Sequence, residues 1–119
     1  MKLITEAQRE QLLANGRKQR EKIDSDSDLL DFAPVVKLFT PDGNATWLLT
    51  ELEPGDPGIA FGLCDLGLGC PELGYVSLTE LATVRGPRGL PVERDHHFNA
   101  DRTLSAYAEA ARTAGRVTT

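Results

Sequence analysis

Two turn clusters, Pro41-Asp42-Gly43-Asn44 and Pro54-Gly55-Asp56-Pro57-Gly58, limit what this chain can fold into more than any other feature. They cut its middle into strand-length runs. Val35 to Thr40 is rich in strand formers, Thr46 to Glu53 follows the first turn, and Ile59 to Asp65 follows the second. Connections this short join antiparallel neighbours, because a parallel crossover needs a dozen or more residues. The third run puts Ile59, Phe61 and Leu63 on one face and Ala60, Gly62 and Cys64 on the other. The small face lets a helix or another backbone come close. Beyond a glycine-rich loop, Leu73 to Val76 reads as a fourth short strand. Leu90 to Phe98 reads as extended, and Pro91 confines it to an edge or irregular strand.

Helix signals flank this meander. Thr5 with Gln8 spells a capping box, and Asn15-Gly16 spells a stop, so the first helix is expected over about residues 6–15, with the basic run Arg17 to Lys22 either extending it or beginning a loop. Asp24 to Asp28 reads as an acidic linker, with Ser27 or Asp28 capping a short turn through Leu29, Leu30 and Phe32. Ser77 with Glu80 opens a middle helix carrying Leu78, Leu81 and Ala82, which Gly86-Pro87 ends. Thr103 is the expected cap of a last helix, whose Leu104, Tyr107, Ala108 and Ala111 recur as one stripe and which Gly115 closes. The expected class is α+β: an antiparallel meander sheet of about four to five strands with N-terminal, middle and C-terminal helices packed on it. A single domain is expected over residues 1–119. It comprises a basic N-terminal helix region (1–23), the acidic linker (24–28) and an α+β core (29–115).

A chain of 119 residues buries roughly two thirds of its unfolded surface, so it needs neither disulfide nor metal to fold. Cys64 and Cys70, spaced C-x5-C, match no common zinc or redox pattern and read as free thiols. No apolar run approaches the roughly 20 residues of a membrane span. The N-terminus turns polar at once, unlike a secretory signal, and a cytoplasmic location is the default expectation. The net charge is -5 and uneven: residues 1–23 carry +3, residues 24–80 carry -10 and residues 81–119 carry +2. General attraction to nucleic acid is disfavoured, because it scales with the phosphates that Lys and Arg neutralise. The basic first helix, with Arg9, Arg17, Lys18, Arg20 and Lys22, has no interleaved aromatics to stack bases.

Several constellations carry chemistry. In an extended strand Glu93, Asp95 and His97 share a face, and two carboxylates with an imidazole suit a divalent cation that activates water. The bland counterpart is a solvated edge strand. Arg85-Gly86-Pro87-Arg88-Gly89, with Arg94 and Arg102 nearby in sequence, could grip a phosphate or carboxylate; a helix C-cap explains Arg85-Gly86 without any ligand. Gly67-x-Gly69 lacks the lysine and the following helix of a nucleotide loop. Glu72 and Tyr75 stand on the fourth strand, where Tyr75 either finds a partner for its hydroxyl or lines a groove with Trp47. Trp47 itself reads as core. Ser77 reads as a cap, because no G-x-S-x-G elbow exists.

The pairs Thr46-Trp47 and Phe61-Gly62 stand out with Glu72-Leu73-Gly74-Tyr75, Ser77-Leu78-x-Glu80-Leu81 and Leu90-Pro91-Val92-Glu93-Arg94-Asp95. Together they resemble an uncharacterised bacterial family, a domain of unknown function found often on conjugative plasmids and integrative elements. The likeness runs from Met1-Lys2-Leu3-Ile4-Thr5 to about Phe98. The Cys64–Cys70 loop and the double histidine His96-His97 lie outside its pattern. The resemblance implies a mobile-element setting and supplies no catalytic residues. The expectation is therefore a non-catalytic accessory protein that needs no cofactor and binds a macromolecular partner, a protein ahead of nucleic acid held by the basic first helix, in a setting where small proteins counter host defence. The sites expected to contact it are Arg85, Arg88, Arg94, Glu72 and Tyr75. The alternative is a small metal-dependent hydrolase using Glu93, Asp95 and His97.

Overall fold

The computed structural model describes residues 3–119; Met1 and Lys2, part of the expected basic helix region, lie outside the described residues. Helix α1 spans Glu6–Asp24, and strands β1 Val36–Phe39, β2 Thr46–Glu53, β3 Asp56–Asp65 and β4 Glu72–Ser77 follow. Then come the one-turn helix α2 (Leu78–Leu81), strand β5 (Glu93–Arg94) and helix α3 (Leu104–Ala114). The five strands form one sheet in the order β4-β3-β2-β1-β5, with every neighbouring pair antiparallel. The α+β meander read from the turns is therefore the observed architecture.

The two faces of the sheet carry separate cores, as the period of two demands. On one face Leu12 of α1 and Leu81 of α2 pack with Val36, Leu38, Trp47, Leu49, Leu52, Ala60 and Val92. Trp47 is buried, as expected. On the other face the α3 stripe Leu104, Tyr107, Ala108 and Ala111 packs on Leu48 and Leu63, with Phe61 partly buried beside them.

Helix α1 does not stop at Asn15-Gly16 but runs to Asp24. Asn15 and Gly16 are both buried. Pairing of β1 with β2 ends at Val36↔Leu49, which leaves the carbonyls further along β2 without a strand partner on that side. Asn15 Nδ2 donates to Thr50 O at 2.9 Å, and a Cβ on Gly16 would overlap the Leu52 carbonyl. These two residues dock the helix on a strand edge rather than ending it. The Thr5–Gln8 capping box is present in both directions.

Other expectations shift locally. The second turn shrinks to Pro54-Gly55, and β3 begins at Asp56, paired with Glu53. Asp24 belongs to the helix rather than the linker, and residues 29–35 form no helical turn. Helix α2 ends after one turn, well before Gly86. The extended run expected from Leu90 to Phe98 contributes two strand residues only, because Asp95 opens a turn: its Oδ1 accepts from His97 N–H at 2.9 Å. Thr103 occupies the cap position of α3 but makes no side-chain cap bond. Asp31, from the segment before β1, takes that role and accepts from the N–H (3.1 Å) and hydroxyl of Ser105.

Candidate protein-binding surface

The two edges of the sheet differ. One edge is β5, only two residues long, and short edge strands resist unwanted pairing. The other is β4, six residues in unbroken register with β3, from Ile59↔Ser77 to Cys64↔Glu72. No described strand pairs with its outer side. It contains no Lys, no Pro and no bulge, the usual devices that blunt an edge.

Alternation along β4 puts Leu73 and Tyr75 on the face that carries α3, opposite Leu63 and Phe61. Helix α3 does not reach over them: Leu73 is 47% exposed and Tyr75 62%. Tyr75 leans edge-on against Phe61, with ring centroids 5.1 Å apart. Trp47 faces α1 instead, so it shares no groove with Tyr75. Glu72 is exposed on the opposite face of the strand from Leu73.

Beside this strip a recess of about 130 Å³ is lined by Gln19, Arg20 and Ile23 of α1, Leu29, Glu51 and Tyr75 among others. Glu51 is buried there. Burial pushes its carboxyl above the ordinary glutamate range, against hydrogen bonds from Gln19 and Thr50, and Glu53 adds to the rise. Arg20 on the rim is paired with Asp24 at 2.9 Å.

The other candidate residues do not converge. Arg85 Nη1 donates to Ala82 O (3.1 Å) and Val84 O (2.9 Å), which closes the end of α2. Arg94 Nη1 donates to Leu3 O at 3.2 Å. Arg88 has an exposed side chain, and its backbone N–H is the working group. The Gly86–Leu90 turn does hold a carboxylate, but one from its own chain. Asp42 Oδ2 accepts from the N–H groups of Arg88 (2.6 Å) and Leu90 (3.3 Å), while Oδ1 is buried without a hydrogen-bond partner among the described residues. A Cβ on Gly86 would overlap that carboxylate. In the sequence Asp42 carries only turn chemistry, because nothing local marks a contact 46 residues away.

The chain turns at Asp95, so Glu93, Asp95 and His97 do not stand in one row. Asp95 pairs with Lys37 at 3.5 Å. Its carboxyl sits below the ordinary aspartate range, chiefly through the His97 N–H and then through Lys37, against a desolvation that acts the other way. Among the described residues no group of three His, Cys, Asp or Glu side chains is placed to hold a metal ion. A cleft of about 530 Å³ includes Lys37, Asp65, Asp95 and Arg116. Three of these groups have structural duties: Asp95 pairs with Lys37, the buried Asp65 accepts from Gly67 N–H (2.8 Å) and Val117 N–H (2.9 Å), and Lys37 also donates to Thr119 Oγ1 at 2.7 Å. Cys64 is half-buried, which pushes its thiol pKa up, and Cys70 is exposed; both are free.

Fold and surface together define an α+β domain built on an open five-stranded antiparallel sheet with one bare edge. The chain belongs to the family described as Protein of unknown function (DUF2958), whose model matches residues 3–118. No curated protein and no solved structure matches it. No described helix is long and apolar enough to cross a membrane.

Proposed function

We propose that this chain is a non-catalytic accessory protein that binds a protein partner through the β4 side of its sheet. The observation that supports this reading is the pair Leu73 and Tyr75, two large side chains held side by side on one face of an edge strand and left open to water. Tyrosine on such a site supplies contact area at low entropic cost and anchors interfaces out of proportion to its number. Glu72 on the other face of the strand adds a charge to the same edge.

The mobile-element setting belongs to this proposal and rests on the family resemblance; there the partner would be a host protein, one acting in defence. The test is affinity capture from a bacterial lysate with the full chain and with Tyr75→Glu. A protein enriched by the first and lost with the second is the expected result. Reproducible absence of enrichment overturns the role. Protein purified without an affinity tag is expected to carry no stoichiometric metal; such a metal, lost on His97→Ala, would favour the hydrolase.

A further inference from the structure

From Leu38 to Val84 the chain contains no Lys or Arg and seven acids. That stretch makes up all of β2, β3, β4 and α2. The strands that form the bare edge therefore carry no Lys or Arg of their own, and Arg20, which reaches Tyr75 from α1, is already paired with Asp24. A strand added to β4 gains main-chain hydrogen bonds along its length, while side chains at alternate positions supply selectivity. On one face the added residues lie beside Leu73 and Tyr75, two positions apart, and the next residue beyond Leu73 faces Glu72 on the other.

We infer that the partner contributes an extended segment in which two apolar residues at alternate positions meet Leu73 and Tyr75 and a basic residue next to the first of them meets Glu72, and that this segment adds to the sheet at β4. The inference rests on the protein-binding reading above and names the form of the partner. Charge decides between occupants. A second copy of the chain would bring the same acid-only region against itself, whereas a basic strand meets Glu72 with opposite charge.

The probe is a phage-displayed library of random twelve-residue peptides selected on the full chain. The expected consensus is basic, apolar, any, apolar, in either chain direction. The selected peptides are expected to slow amide exchange in Glu72–Ser77. Leu73→Lys with Tyr75→Lys, both at exposed positions, places lysines on the edge and is expected to weaken binding at least tenfold. Glu72→Lys is expected to weaken it about two- to fivefold, the size of one cross-strand charge pair. Selection of acidic peptides, exchange protection elsewhere, absence of enrichment or concentration-dependent dimerisation through β4 would each overturn the inference. A lysate partner whose capture survives the double lysine variant would overturn strand addition and leave the protein-binding role standing.

Discussion

At the residue scale, two glycines set tertiary packing against local preference. Helix propensity predicts that Gly16→Ala stabilises α1 by about 1 kcal/mol. The new methyl would meet the Leu52 carbonyl, and overpacking of this kind costs about 1–3 kcal/mol. The expected net outcome is destabilisation, read from urea unfolding. Gly86→Ala should likewise expel Asp42 from its turn and cost about 0.5–1.5 kcal/mol through the lost hydrogen bonds to the exposed N–H groups. Asp42→Ala added to Gly86→Ala should then cost little more, so the cycle tests the contact itself. Glu51 gives a pH signature. Its raised folded pKa means that the folded state holds the proton more tightly, so stability falls as pH rises from the ordinary glutamate range through the folded value. Glu51→Gln should raise the melting temperature at neutral pH, and the gain should vanish once the pH falls below the ordinary glutamate range. An equal gain at every pH would contradict this account.

At the scale of elements, α3 is held by a residue its own sequence does not contain. Asp31 accepts two hydrogen bonds at the start of the helix, and Leu104 N–H donates to Phe32 O at 2.8 Å. Asp31→Ala is expected to cost about 0.5–2 kcal/mol, as loss of a helix cap does, and Thr103→Ala less. Burial pushes the Asp31 carboxyl up, and the Ser105 and Thr103 bonds together pull it below the ordinary range. Its contribution is therefore present above the unfolded carboxylate pKa and lost as pH falls through the folded one. The strand-to-strand turns and the α3 stripe were legible because their signals are local. The cap was not, because Thr103 is an acceptable cap by type and sits at the cap position, whereas Asp31 lies far away in sequence. The bare edge was legible as a strand but not as an edge, since alternation says which face a residue takes and not which strand lies outermost.

At the scale of the whole molecule, the segment after α3 ties the chain end to the middle of the fold. Val117 N–H satisfies Asp65, and Val117 packs on the α3 core. A chain cut after Gly115 should lose about 1–3 kcal/mol, because one oxygen of a buried carboxylate is left unpaired; thermal unfolding checks this. The sequence by itself determined the α+β class, the antiparallel order of β1 to β4, and which residues of α3 face inward. All follow from short turns and from the 2.0 and 3.6 periods, which act over a few residues. Tertiary structure alone decided that Asn15-Gly16 docks a helix, that Asp42 fills the Gly86 turn, that Asp95 leaves the strand, and that β4 is the uncovered edge. Each is a meeting of segments far apart in sequence, settled by which backbone groups lack a partner nearby.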